Sequence, residues 1–261
     1  MAKTTVSLRR LFRISNPLLG SSRGCNLLKQ SKLAANSVGF NVCIVRSNAR
    51  ACSTNNIVQP FFDNVDIPSN MSLPQFLWEG AVKNHGNKIA LVDDISGKEY
   101  TYIEAFSASK KFGTAVRRLG LKKGDVVAFF LHNCPEYITS LTGVIGVGGI
   151  ATTVNPNYTA TEVTRQLGMA NVKMILTTSE LVLVAHQAVK KTKQKIEIIV
   201  LDSKVFSFST LAYHDIMQGD ELFPDSDNKE FSKDDVVILP YSSGTTGLPK
   251  GMMNNISGFM F

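Results

Sequence analysis

Eleven consecutive residues, Tyr241-Ser242-Ser243-Gly244-Thr245-Thr246-Gly247-Leu248-Pro249-Lys250-Gly251, concentrate the chemistry of this chain. Gly244 and Gly247 let backbone N–H groups approach an anion without an intervening Cβ, and both can take positive φ. Ser242, Ser243, Thr245 and Thr246 add hydroxyl donors, and Lys250 adds a mobile positive charge. Such a set suits a polyphosphate. No nucleophile or general base is assigned among these residues. The spacing from Gly244 is G-x-x-G-x-x-K-G, which differs from the nucleotide loop G-x-x-x-x-G-K-[ST], and no hydroxyl follows the lysine to hold magnesium. The plain alternative is a Ser/Thr/Gly-rich surface turn with an incidental lysine. Placement weighs against it: Val236-Val237-Ile238-Leu239-Pro240 leads into the loop as a buried strand would. Open α/β sheets bind ligands at the C-terminal ends of their strands.

A strand that delivers such a loop needs a sheet around it. Leu73, Phe76, Leu77, Ala81 and Val82 recur at helical spacing after Ser72, with Pro74 in the first turn, and predict a helix over about 73–84. Ile89–Asp93 and Lys98–Tyr102 flank Ser96-Gly97 as a predicted hairpin. Thr101-x-x-Glu104 is a capping box opening a helix that Gly120 closes. Beyond it the pattern alternates. Strands are predicted at Val126–Leu131, Ile150–Val154, Met174–Thr177, Ile196–Leu201 and Val236–Tyr241. Helices are predicted at Glu136–Ile145, Thr161–Met169, Glu180–Val189 and Thr210–Met217. Short apolar strands separated by helices imply an α/β fold, a largely parallel sheet covered on both faces. A sheet ending soon after the loop is expected to leave the edge of its last strand open.

Composition places an address ahead of this body. The 261 residues carry a formal charge of +7, yet residues 1–62 hold 9 Lys/Arg and no Asp/Glu, leaving 19 basic against 21 acidic groups, a net of −2, for 63–261. The body therefore lacks the clustered positive charge that nucleic-acid binding requires. At 100° per residue, Leu8, Leu11, Phe12 and Ile14 share one side of a helix and Arg9, Arg10 and Arg13 the other. Residues 1–56 read as a mitochondrial-type targeting leader, cleaved near Arg50-Ala51-Cys52-Ser53, recognised by import receptors and delivering a 57–261 body to the matrix, with a plastid address or a plain disordered basic tail as the alternatives. Cys25, Cys43 and Cys52 lie in the leader and Cys134 alone in the body, so no internal disulfide is expected there.

Other candidates are weaker. His85, His132, His186 and His214 are too far apart in sequence for a local metal pair, and no metal-binding residue is expected. Lys190-Lys191-Thr192-Lys193-Gln194-Lys195 reads as a solvated helix end more simply than as a phosphate patch. Tyr137 to Thr161 is uncharged and long enough to span a bilayer, but Asn155-Pro156-Asn157 interrupts it. A helix leading to a buried strand accounts for it, and no transmembrane segment is expected.

Tyr241–Gly251 resembles the phosphate-loop signature of the adenylate-forming superfamily of acyl-CoA synthetases, 4-coumarate–CoA ligases and beetle luciferases. Asn133-Cys134-Pro135-Glu136, Gly148-Gly149-Ile150-Ala151 and Asn155-Pro156-x-Tyr158-Thr159 extend the similarity upstream. The resemblance implies an ATP-dependent carboxylic acid–CoA ligase: a carboxylate attacks the α-phosphorus of ATP, pyrophosphate leaves, and the acyl group passes to coenzyme A. It implies phosphate contacts from Ser242, Ser243, Gly244, Thr245, Thr246, Gly247 and Lys250. It also implies magnesium held through residues not present here, and a small carboxylic acid as substrate. After Gly251 the family continues with an apolar stretch and a Ser/Thr-His pair, where Met252-Met253-Asn254-Asn255-Ile256 stands here. The resemblance covers only the amino-terminal portion of such enzymes. The alternative is a non-catalytic, truncated form that at most binds nucleotide phosphates or a full-length partner.

Overall fold

The computed structural model describes residues 71–202, 206–219, 231–243 and 249–260, all within one compact unit, Phe62–Phe261. The predicted leader lies outside the described residues. Helix α1 (Leu73–His85) starts on Ser72, whose hydroxyl and backbone exchange bonds with Gln75, so the S-x-x-Q box adds to the Pro74 signal. Strands β1 (Ile89–Val92) and β2 (Glu99–Thr101) pair antiparallel as the predicted hairpin. Gly97, at φ +71°, takes the left-handed turn position. Helix α2 (Tyr102–Arg118) carries the Thr101–Glu104 capping box and ends before Gly120, at φ +97°.

The main sheet follows. Its parallel strands are β3 (Val126–Phe130), β4 (Ile150–Thr153), β5 (Val172–Thr177), β6 (Glu197–Val200), β7 (Leu211–Ala212) and β8 (Val236–Leu239). The crossovers include α3 (Pro135–Gly146), α4 (Ala160–Met169), α5 (Val182–Thr192) and the single turn α6 (Tyr213–Ile216). After β8 come β9 (Tyr241–Ser243), β10 (Pro249–Gly251), β11 (Asn254–Asn255) and α7 (Ile256–Met260). Among the described residues the sheet order is β11-β8-β4-β3-β5-β6-β7, with β11 the one antiparallel member.

The apolar run of β3 is continuous because both faces are covered. Val127 and Phe129 pack with Ala151, Leu176 and Ile199 beneath Phe112 and Val116 of α2 and Val144 of α3. Val126, Ala128 and Phe130 point the other way, to Ile175 and Ile198 and to Val163, Leu167, Val182 and Ala185 of α4 and α5. Phe129 and Phe130 are fully buried, each contributing about 1.5–3 kcal/mol of transfer free energy. Helices α2 and α3 approach closely at Gly143, where a Cβ would stand 2.5 Å from the Ser109 carbonyl.

Most predicted boundaries shift by one to three residues, and two predicted elements change in kind. The predicted helix over Thr210–Met217 is replaced in its first part by β7, because Leu211 and Ala212 pair with Ile199 and Val200 at the sheet edge, and only one turn of α6 remains. The predicted strand Val236–Tyr241 is broken at Pro240, whose ring has no N–H to continue a ladder. The open edge expected at β8 is also corrected: β11 pairs along it, and Ile256 inserts into the core at 3 % exposure. The uncharged stretch from Tyr137 divides into α3 and β4. Among the described residues no helix is long and apolar enough to cross a membrane.

Candidate functional site

The site is built at the C-terminal end of the parallel sheet. Strand β8 is held against β4 by two registered pairs, Ala151↔Ile238 and Thr152↔Leu239. At Pro240 the chain leaves the sheet. Its carbonyl accepts from the Met252 N–H at 2.9 Å, and β9 and β10 pair antiparallel as Ser243↔Pro249, Ser242↔Lys250 and Tyr241↔Gly251. Directly opposed residues of an antiparallel pair point to one face, so Ser242 and Lys250, both exposed, stand side by side. Ser243 occupies the last position of β9. Gly244, Thr245, Thr246 and Gly247 lie outside the described residues. Ser242, Ser243 and Lys250 are therefore brought together on the two arms of one hairpin that continues from a parallel strand.

Gly251 has a reason of its own. A Cβ there would meet the Tyr241 ring at 3.0 Å from Cζ and 3.2 Å from Cε1. The ring therefore lies over the glycine, and burial raises the Tyr241 phenol above its ordinary pKa.

Beside the hairpin runs a cleft of about 480 Å³ lined by Thr153, Val154, Asn155, Tyr158, Gln166 and Tyr241. A smaller space of about 150 Å³ lies between Tyr158, Arg165, Met169, Tyr241 and Pro249. The segment Asn155-Pro156-x-Tyr158-Thr159 is the turn that shapes this wall. The Asn155 side chain accepts from the Asn157 N–H at 3.0 Å, the Tyr158 N–H donates to the Asn155 carbonyl, and Thr159 caps α4 in a box with Glu162. Gly148, at φ +80°, turns the chain into β4, and a Cβ on Gly149 would meet Val144 Cγ1 at 2.8 Å.

Asn133-Cys134-Pro135-Glu136 opens α3 at the end of β3. Burial pushes the Cys134 thiol up to about 11, which keeps it protonated. Glu136 accepts from Lys98 Nζ at 2.5 Å and from the Tyr100 hydroxyl at 2.8 Å, tying the β1–β2 hairpin to α3. Burial raises the Glu136 pKa, but these donors outweigh it and the net shift is downward. Another cleft of about 470 Å³, lined in part by Asp93, Ile95, Cys134 and Ile138, lies there and shares no residue with the β9–β10 hairpin.

His132 is exposed at the end of β3, and His186 stacks on Phe208 at 3.9 Å between ring centroids. Among the described residues no group of three or more His, Cys, Asp or Glu could hold a metal ion. Lys190 and Lys191 are exposed in the last turn of α5. Sequence reasoning missed Thr152 and Gln166, buried polar residues behind the hairpin; the signal for the first was the Thr152-Thr153 pair inside a strand of four residues, and no local pattern marks Gln166.

Comparison with known proteins agrees with this geometry. A family model described as AMP-binding enzyme matches residues 78–260. The chain is 36% identical over 192 residues to a 4-coumarate–CoA ligase 3 of Oryza sativa subsp. japonica, covering 73% of this chain and 33% of that protein. It is 33% identical over 198 residues to a 4-coumarate–CoA ligase 1 of Petroselinum crispum, covering 76% and 35%. Among solved structures, an anthranilate CoA ligase, AuaEII, in complex with anthranoyl-AMP superposes with TM-score 0.64 at 21% identity, covering 73% of this chain and 36% of that one. A luciferase-like enzyme from the nonluminescent Zophobas morio mealworm gives 0.63 at 23% identity, covering 78% and 45%. At those identities the structures show a shared fold, and the chain spans about a third of the length of the curated relatives it matches. With the model matched from Trp78 onward and the parallel sheet running into the hydroxyl- and glycine-rich hairpin, this chain belongs to the AMP-binding enzyme family.

Proposed function

We propose that the β9–β10 hairpin holds the β- and γ-phosphates of ATP in a carboxylic acid–CoA ligase reaction. The observation that carries this reading is the register: Ser242 faces Lys250 across an exposed antiparallel pair that continues directly from a parallel strand. In the proposed reaction a carboxylate displaces pyrophosphate from ATP to give an acyl-adenylate, and coenzyme A then takes the acyl group. Negative charge grows on the departing pyrophosphate. A hydroxyl and an ammonium group carried by a closed β-ladder need little reorganisation to meet it, which is where fixed donors are most effective. Gly244, Thr245, Thr246 and Gly247 belong to the same proposed contact set. Magnesium would accompany the ATP, but no step is assigned to it through these residues. The names of the relatives favour a small carboxylic acid as substrate, aromatic acids included.

Titration of pyrophosphate and ATP into the protein tests the reading. Wild type is expected to bind both, and Lys250→Ala to bind about ten- to a hundredfold more weakly, as loss of a charge-assisted bond requires. Equal affinity in the two proteins, or none in wild type, would overturn it. The leader is proposed to direct import into mitochondria, on the amphipathic pattern of Leu8, Leu11, Phe12 and Ile14 against Arg9, Arg10 and Arg13. A fluorescent fusion of residues 1–60 that stays diffuse in the cytosol would end that proposal.

A further inference from the structure

We infer that Thr152 and Gln166 are positioning residues for the phosphate hairpin. This inference rests on the proposed role of that hairpin and adds what sets its place. Strand β8 has only a short hold on the sheet, two registered pairs with β4, against four between β3 and β4. Its last residue, Leu239, precedes Pro240, which has no N–H to extend the ladder. At that point a side chain supplies the missing tie: the Thr152 hydroxyl donates to the Leu239 carbonyl at 2.8 Å. Thr152 is itself fixed from α4. Gln166 Nε2 donates to Thr152 Oγ1 at 3.2 Å and to the Thr153 carbonyl at 2.9 Å.

Both side chains are buried, Thr152 at 0 % and Gln166 at 3 % exposure. A buried amide and hydroxyl cost desolvation unless each is bonded, and an apolar pair of similar shape would fill the space without that cost. Their location separates positioning from plain packing. The chain of bonds runs from α4 through β4 and ends on the residue two before Tyr241, where β9 begins. Gln166 also lines both clefts beside Tyr241. The hairpin's exit from the sheet is thus set by three elements at once. A hairpin free to shift would present Ser242 and Lys250 to the phosphates for only a fraction of the time, and its apparent affinity would fall by that fraction.

The test uses the full chain and four variants, with two readouts: hydrogen exchange at the Met252 amide, which reports the Pro240 exit through its 2.9 Å bond, and pyrophosphate affinity. Thr152→Val removes the hydroxyl at constant shape, and is expected to speed Met252 exchange and weaken pyrophosphate binding, each by about tenfold, the worth of one buried hydrogen bond. Thr152→Ser is expected to restore both. Gln166→Met should shift both in the same direction and carries the test if Thr152→Val does not fold. Ser109→Ala, which removes a 2.9 Å buried hydroxyl contact between α2 and α3, is expected to lower stability and change neither readout. Wild-type Met252 exchange in Thr152→Val, or the same changes in Ser109→Ala, overturns the inference. A selective rise in Met252 exchange in a protein that binds no pyrophosphate supports the positioning role and removes the phosphate reading instead.

Discussion

Gly143 and Gly80 are both helical glycines, and replacing each by alanine is expected to shift stability in opposite directions. At Gly143 of α3 an added Cβ would lie 2.5 Å from the Ser109 carbonyl oxygen, 3.0 Å from the Gly113 nitrogen and 3.3 Å from Phe112 Cβ. Two of these three atoms are backbone of α2, so no rotamer change relieves the contact and the helices must part. The same interface holds the Ser109–Thr142 hydroxyl pair at 2.9 Å and the fully buried Phe112 and Val116. Overpacking of this kind costs about 1–3 kcal/mol, and more where nothing can yield. The gain in helix propensity offsets at most about 1 kcal/mol. The net expectation for Gly143→Ala is a loss of about 2 kcal/mol, or roughly 4–8 °C for a domain of this size. At Gly80 of α1 nothing lies within 4 Å of the added Cβ, so only the propensity acts and stability should rise by about 0.5–1 kcal/mol. Urea unfolding with unchanged m-values measures both. Gly143→Ala at or above wild-type stability would refute the close crossing of α2 and α3.

The depressed pKa of Glu136, where the Lys98 and Tyr100 donors outweigh burial, means its contribution is fully present above the ordinary carboxylate range and is lost as pH falls through the lowered folded value. Glu136→Gln should cost about 1–2 kcal/mol at pH 7, with the deficit shrinking as the wild-type carboxylate protonates; a deficit independent of pH between 7 and 3 would contradict the bonding. Thr159→Ala removes the hydroxyl that accepts from the Glu162 N–H and donates to the Glu162 carboxylate, leaving the bond from the Thr159 backbone N–H in place, and should cost about 1 kcal/mol in urea unfolding, while wild-type stability would mean that α4 needs no hydroxyl cap. Ile256→Ala empties a site that is 3 % exposed and should cost about 2–5 kcal/mol; an unchanged urea midpoint would show that the segment after Met253 does not dock against β8.

The parallel sheet was legible because β3 has to be apolar on both faces. A run such as Val126–Phe130 fits few other places. The starts of α1 and α2 were legible from local chemistry alone, since Ser72 and Thr101 bond within their own first turns. Leu211 and Ala212 were misread because their strand character comes from Ile199 and Val200, a partner that no local periodicity reveals. Asn254 and Asn255 are poor strand formers by type, yet they pair with Ile238 and Val236 because β8 presents an unpaired edge. The sequence reading found residue types suited to phosphate in Tyr241–Gly251. It could not show that Ser242 and Lys250 are opposed, because hairpin register depends on the geometry of the connection as well as on residue type.

Pro240 shows how the two levels meet. A residue with an N–H at this point could extend the β4–β8 ladder and draw Tyr241 and Ser242 into the sheet, where their side chains would alternate between the two covered faces. Proline ends that ladder. The carbonyl before it goes to the Thr152 hydroxyl and its own carbonyl to the Met252 N–H, so both acceptors are satisfied although the strand has stopped. The hairpin is thereby separated from the sheet but not released from it. That combination is what a phosphate cradle requires: donors exposed to the ligand, carried on a backbone whose position the core decides.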